Sequence, residues 1–437
     1  MQEHLTAAKS FSGSLRVPGD KSISHRALMF SALAGGTSRL TGLATGHDVE
    51  STAHCLKALG AGIEPGAPGD PALYVMGAGP GGFSRPEGTL DAGNSGTTMR
   101  LLSGILAGQP FETTITGDRY LRKRPMKRII EPLELMGANI SSAPGGLPPL
   151  TVSSLGRLEG ITYPLPVASA QVKSCVLLAG LFAGGRTTVI EKVPSRDHTE
   201  RMLPLFGVQI LKEGLSVSVE GRASLTACDI EVPGDPSSAA FFAAAAAIIP
   251  GGEVKIRNIG LNPTRAAFFD ILSRMGARIE RENERTLAGE PVADLVVRHE
   301  PLTAAHIGGS ILPCLIDEVP VLAVLATQAQ GVTSITDAGE LRVKETDRLA
   351  AVARNLTLMG ARVKELPEGL EIKGPCSLKG ADLDSFGDHR IAMAFSVAAL
   401  AAASGETVIR DSGCAGVSFP GFFTELRRLA GLAEKEE

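Results

Sequence analysis

Apolar and polar positions along the chain fall into two patterns, and each recurs six times. In the first, a helical stretch closes on a glycine and passes into a strand: Leu59-Gly60-Ala61, Met136-Gly137-Ala138, Phe206-Gly207-Val208, Met275-Gly276-Ala277, Met359-Gly360-Ala361 and, more weakly, Ala430-Gly431-Leu432. Successive glycines lie 77, 70, 69, 84 and 71 residues apart. In the second, a polar opening leads into a small-residue helix, a Gly-containing turn and a strand: Asp20 to Leu40, Asn94 to Ile115, Ser169 to Val189, Asp235 to Ile256, Asp317 to Ile335 and Asp388 to Ile409. These openings are 74, 75, 66, 82 and 71 residues apart, so both patterns share one period and predict six copies of one α/β unit. Phe241 to Ile249 and Ile391 to Ala403 are apolar nearly all round, which predicts core helices. The amphipathic helices that close on glycine should cover the outside or face strands.

The units group as two triplets, because Val17-Pro18-Gly19-Asp20 recurs word for word as Val232-Pro233-Gly234-Asp235. This reads as one domain crossover made twice, with domains at 20–234 and at 1–19 joined to 235–437. The first 16 or so residues would then supply a strand that the last unit needs.

Composition narrows the function. A net charge of −4 and the absence of a basic run interleaved with aromatics argue against nucleic acid. The six cysteines, Cys55, Cys175, Cys228, Cys314, Cys376 and Cys414, are scattered without CxxC or His-linked spacing, so neither a metal site nor a disulfide framework is expected. The N-terminus lacks a basic segment followed by an apolar one, and Ala239 to Ile249 is too short to span a bilayer. A soluble cytoplasmic protein without membrane contact is expected, with the acidic tail Glu434 to Glu437 frayed.

Candidate chemistry gathers at the helix openings, where backbone N–H groups and positive dipole ends favour anions. Lys21 and Arg26 fall in the first turns of the helix after Asp20, a position that disfavours cations unless an anion fills it; two side chains reaching into water would give the same pattern. Asn94-Ser95-Gly96-Thr97 is either an ordinary cap or a place where a missing Cβ lets a ligand approach the backbone. The run Tyr120 to Arg128 is the most basic, with Pro125 suited to the first turn of the helix ending at Gly137. Ser169 to Lys173 and Ser195 to Arg201 are similar polar openings. In Leu341 to Arg348, Lys344 and Arg348 are four apart and should share one side of a helix, with Glu345 beside them, either an active cluster or a surface ion-pair ladder. Asp317 and Asp388 open apolar helices, as caps or as working carboxylates.

Eight ordered blocks, PGDKSISHRAL, LDAGNSGTTMRLLSG, TGDRYLRKRPMKR, ASAQVKSCVLLAGL, PSRDHTERM, VPGDPSSAAFF, LRVKETDRL and GDHRIAMAF, resemble the 5-enolpyruvylshikimate-3-phosphate synthase family across nearly the whole chain. The SAQVKS and SRDHTER wording resembles its second bacterial class. The resemblance implies a two-domain inverse α/β barrel of three βαβαββ units per domain, with the active site in the cleft. It implies transfer of the enolpyruvyl group of phosphoenolpyruvate to the 5-hydroxyl of shikimate 3-phosphate, without metal or organic cofactor, by a monomer, with glyphosate as competitor of phosphoenolpyruvate. By motif, shikimate 3-phosphate would meet Lys21, Ser22, Arg26, Ser169, Ala170, Gln171, Arg196, Asp317 and Lys344. Phosphoenolpyruvate would meet Lys21, Gly96, Arg124, Gln171, Arg348 and Arg390, and Asp317, Glu345 and Lys21 would be catalytic. The 20–234 domain would bind shikimate 3-phosphate, and the other would bind phosphoenolpyruvate and carry catalysis. Two departures stand out: Val417 precedes Ser418-Phe419-Pro420 where many relatives carry Lys, and Glu340 stands where some carry Asn. Rival readings are an enolpyruvyl transferase acting on UDP-N-acetylglucosamine, whose reactive loop Cys or Asp has no counterpart between Arg122 and Arg128, and a non-catalytic anion-binding repeat protein, which would need no acid opposite the cations.

Overall fold

The computed structural model describes residues 1–79, 81–154 and 156–433, so the acidic tail lies outside the described residues. Two units emerge. The first comprises Gly19–Val232 with Leu287–Glu290; the second comprises Met1–Pro18, Pro233–Thr286 and Pro291–Glu437.

Each unit is built on three inner helices, Lys21–Leu33, Gly96–Ala107 and Ala170–Gly180 in the first and Pro236–Ile248, Val319–Gln328 and His389–Leu400 in the second. Pro236–Ile248 and His389–Leu400 are buried at every position, as helices without a polar face must be. Helices such as Lys127–Leu135 and Phe422–Ala430 bury one stripe and expose the other.

The sheets repeat one order. Leu90–Asp91 runs parallel to Thr113–Thr116, which pairs antiparallel with Leu147–Ser154 and through it with Ala138–Ala143. Thr162–Pro164, Arg186–Ile190, Ser216–Glu220 and Ile210–Glu213 follow the same order. In the opening repeat, the parallel neighbours of Ala34–Thr41 are Leu225–Thr226 and Ile230–Glu231, so the end of the first triplet completes its beginning. The second unit draws on the N-terminus: Ser12–Arg16 lies parallel to Glu253–Gly260, and Gln2–Leu5 pairs antiparallel with Thr407–Arg410 of the last repeat.

Five of the six inner helices are capped by their polar openings. Asp20 accepts from Ile23 N at 2.9 Å, Ser95 from Thr98 N at 3.1 Å, Ser169 from Val172 N at 3.4 Å, Asp235 from Ser237 N at 2.7 Å and Asp388 from Arg390 N at 2.8 Å. Val319–Gln328 differs. It follows a short 3₁₀ turn, Ile316–Glu318, and its cap residue Glu318 makes no side-chain capping hydrogen bond. Among the described residues no helix is long and apolar enough to cross a membrane.

Gly96–Ala107 and Ala170–Gly180 pack closely because Gly104 has no side chain: a Cβ there would stand 2.3 Å from the Cys175 carbonyl oxygen. That oxygen belongs to a helix backbone and cannot step aside. Gly104→Ala should therefore cost about 2 kcal/mol, read as a lowered urea midpoint, and an unchanged midpoint would show that the two helices part freely.

Candidate active site

In the first unit, three helix openings meet through their side chains. Lys21, the first residue of its helix, lies half-buried with Nζ 2.9 Å from Asp48 Oδ2. Ser22 beside it gives its carbonyl to Arg26 NH1 at 2.9 Å. Arg26 is buried, and its other nitrogens donate to Thr199 Oγ1 at 2.8 Å and Ser174 Oγ at 2.7 Å. Burial depresses this guanidinium to about 10, against the opposing pull of Glu200 and Asp20. Gln171, just inside the helix that Ser169 and Ala170 open, accepts from Arg100 NH1 at 2.7 Å and donates to Thr97 Oγ1 at 3.0 Å. These two bonds tie the Gly96 and Ala170 helices together at their starts.

Of the basic run, Arg122, Lys123, Lys127 and Arg128 are exposed, whereas Arg124 turns inward and donates to Asn94 Oδ1 at 3.2 Å. The helix begins later than the sequence suggested, at Lys127. Pro125 lies before it and holds Arg124 extended, at φ −87 and ψ 127, by the steric restriction proline places on its predecessor. Arg196 lies in a loop anchored from below. Glu191 accepts from Ser195 N at 3.1 Å and from its hydroxyl, and is itself held by the buried Lys173 at 2.9 Å, which also meets Glu200 at 2.6 Å.

In the second unit, charges converge on Asp317. Its Oδ1 lies 3.3 Å from Arg348 NH1 and 3.8 Å from Lys344 Nζ, its Oδ2 lies 3.8 Å from Arg390 NH2, and its carbonyl accepts from Arg390 NH1 at 3.1 Å. Arg348 is buried, with Nε 2.7 Å from Asp388 Oδ2 and NH2 2.6 Å from Glu345 Oε2. Burial alone would lower its pKa, yet the carboxylates of Asp388, Glu345 and Asp317 reverse this and raise it. Lys344 and Arg348 do not share a helix face, since the helix starts at Arg348 with Asp347 as its cap. They meet at Asp317 because an extended Lys344 follows the 3₁₀ turn Gly339–Val343. Beneath Arg390, Glu318 is gripped by Arg265 at 2.9 Å and by the Ser237 hydroxyl, and Arg265 reaches Asp235 at 3.1 Å.

The model of the EPSP synthase (3-phosphoshikimate 1-carboxyvinyltransferase) family matches residues 5–426. The chain is 51% identical over 416 residues to the 3-phosphoshikimate 1-carboxyvinyltransferase of Geobacter sp. (strain M21), covering 95% of this chain and 96% of that one. The enzyme of that name from Gloeobacter violaceus is 53% identical over 427 residues, covering 97% and 98%. This chain belongs to the EPSP synthase family. The EPSP synthase structure from Acinetobacter baumannii superposes with a TM-score of 0.89 at 43% identity over 99% of each chain. The enolpyruvyl transferase NikO from Streptomyces tendae, at 20% identity and a TM-score of 0.79, shares the fold over 98% of this chain and 96% of that one. The fold is the two-domain inverse α/β barrel expected from the repeats and the family resemblance.

Some residues that hold these helix openings in place carry little or no signal in the sequence. Asp48 reads as an ordinary acid in the first turn of His47–Ala58, and its partner Lys21 is 27 residues away. Arg100 did leave a signal: a lone cation among Met99, Leu101 and Leu102, four residues after Gly96 and so on its face. In the sequence His25 stands out only as part of the PGDKSISHRAL block. It is buried, and burial pushes it down to about 3 from 6.5, with Lys21 and Arg26 adding to the depression and Asp48 opposing it. The unfolded chain then binds a proton that the folded chain refuses, so stability present above pH 6.5 is lost as pH falls toward 3. Between pH 7 and pH 5 this one residue should remove about 2 kcal/mol. His25→Asn should show a flatter acid limb in urea unfolding from pH 7 to pH 5, and a slope identical to the parent chain would contradict the assignment.

Proposed function

We propose that this chain transfers the enolpyruvyl group of phosphoenolpyruvate to the 5-hydroxyl of shikimate 3-phosphate, releasing phosphate, in aromatic amino acid biosynthesis. Family membership supports the reaction, and the observation that carries the chemistry is Asp317: one carboxylate faced by Lys344, Arg348 and Arg390, with Glu345 on the same Arg348. The two substrates together bring roughly five to six negative charges at neutral pH. Lys21, Arg124, Lys344, Arg348 and Arg390 offset their repulsion, and the openings at Gly96 and Ala170 add backbone donors. Ser22, Arg26, Ser169, Ala170, Gln171 and Arg196 orient shikimate 3-phosphate. Arg26 and Arg348, engaged inside the protein, contribute chiefly fixed positive charge.

In this mechanism Asp317 takes the proton of the 5-hydroxyl as its oxygen bonds to C2 of phosphoenolpyruvate. Glu345, with Lys21 or Lys344 near the reacting centre, delivers a proton to the methylene carbon. The resulting tetrahedral intermediate collapses when that carbon returns a proton to Glu345, the double bond re-forms and phosphate leaves.

The deciding experiment measures phosphate released from phosphoenolpyruvate, which should require shikimate 3-phosphate; release without it, or none with it, would sink the reading. Asp317→Asn and Glu345→Gln should each lose more than tenfold in kcat while the Kd for shikimate 3-phosphate moves by less than about threefold. A variant keeping more than about a tenth of kcat would have lost under about 1.4 kcal/mol, too little for a proton-transfer group.

Gly96→Ala tests the phosphoenolpyruvate side. The new methyl would stand 2.8 Å from Arg100 NH1 and 3.3 Å from Arg124 NH1, the mobile ends of long side chains. The fold should tolerate it, while the displaced cations and reduced space should raise the Ki of glyphosate, the longer molecule, more than the KM for phosphoenolpyruvate. An unchanged ratio of the two would remove Gly96 from the site.

A further inference from the structure

His25 begins a continuous chain of hydrogen bonds that ends at the opening of the Gly96–Ala107 helix. Its Nδ1 lies 2.6 Å from Thr52 Oγ1, Thr52 Oγ1 lies 2.7 Å from Thr98 Oγ1, and Thr98 Oγ1 donates to Ser95 Oγ at 2.7 Å. Ser95 Oγ also caps that helix by accepting from Thr98 N at 3.1 Å. All four side chains are buried.

Each threonine hydroxyl owns one proton, so fixing one link fixes the rest. Thr98 spends its proton on Ser95 at 2.7 Å; among the described residues its other possible acceptors are the Asp48 carbonyl, at a longer 3.4 Å, and Thr52 Oγ1, at 2.7 Å, which can equally donate. With Thr98's proton on Ser95, Thr52 donates to Thr98 and its oxygen accepts from His25 Nδ1. The imidazole is thereby set as the Nδ1–H tautomer, leaving Nε2 as a bare nitrogen. Among the described residues Nε2 is buried without a hydrogen-bond partner, a lesser cost for a bare acceptor than for an N–H with nowhere to donate. Depression of the ring's pKa to about 3 by burial keeps it neutral.

We propose that His25 is a positioning residue for phosphoenolpyruvate: through Thr52 and Thr98 it holds the Ser95 hydroxyl oxygen as acceptor of both the hydroxyl and the backbone N–H of Thr98, and so fixes where the backbone N–H groups of Gly96 and Thr97 point. Without the chain, Ser95 can rotate to donate, the cap loosens, and the helix opening shifts against its ligand. The inference rests on the reading that Gly96 meets phosphoenolpyruvate, and the experiment separates the two.

The first measurement needs no substrate. In the full chain labelled with ¹⁵N-histidine, long-range ¹H–¹⁵N correlation at pH 6 and pH 8 should show His25 neutral with the proton on Nδ1 at both. An Nε2–H pattern or an imidazolium would overturn the proposal whatever the enzyme's substrate. The second is kinetic. Thr52→Val, isosteric and remote from the ligand, should raise the KM for phosphoenolpyruvate about tenfold, with the KM for shikimate 3-phosphate changing by less than about twofold. His25→Leu should do the same, and the double variant should add little, because both cut one chain. His25→Asn, which can still donate, should recover most of the loss. Equal shifts in both KM values, or additive losses, would mean that the chain serves stability alone. If His25→Leu fails to fold, Thr52→Val and the tautomer decide. Failure of the parent chain to turn over phosphoenolpyruvate would strike the proposed function and leave the tautomer result standing.

Discussion

The siting of the functional groups follows from one constraint: the inner helices are largely apolar beyond their first two turns, most fully in the second unit. Pro236–Ile248 offers thirteen buried positions in a row, and His389–Leu400 twelve. Such a helix can meet polar partners only at its ends, where its first N–H groups need acceptors. Asp20, Ser95, Ser169, Asp235 and Asp388 answer that need. The same positions collect Lys21, Gln171 and Arg390, so the demand for capping and the supply of functional groups coincide. An apolar core thus forces the chemistry to the helix openings.

Packing and chemistry are coupled along a single helix. Gly104 brings the Gly96 and Ala170 helices to backbone contact, and about one to two turns earlier Arg100, Gln171 and Thr97 join their openings. If the crossing widened, that hydrogen-bonded bridge would stretch with it. Two glycines eight residues apart therefore do different work: one admits a neighbouring helix, and the other leaves space beside two guanidinium groups.

The fold was legible because both of its periodic signals report burial, and burial is what hydrophobic pattern measures. The site was legible only in part. Caps can be read locally, since the acceptor and the N–H groups it serves are two or three residues apart. The pairing of Lys21 with Asp48, of Arg26 with Thr199, or of Arg348 with Asp388 spans 27, 173 and 40 residues, and no local pattern encodes those. Where local reasoning was applied across a break it misjudged the geometry: Lys344 and Arg348 are four apart but only one of them is helical. His25 left no periodic trace, because one imidazole in a buried helix looks the same whether or not hydroxyls are lined up behind it.

Arg348 shows why residue type matters at such a position. Its Nε, NH1 and NH2 address three different carboxylates, Asp388, Asp317 and Glu345, from one planar group that is almost fully buried. A lysine would concentrate the charge on one nitrogen and could not reach three directions at once. Asp388 is fixed in turn by capping Arg390 N, so the fork rests on a helix rather than on a mobile side chain. Arg348 and Asp388 are the buried pair of this set, and removing either leaves the other charged and uncompensated, at about 3–5 kcal/mol. The positive charge behind Asp317 is therefore part of the scaffold, present before any ligand arrives, and an arriving anion need not draw a flexible cation into place.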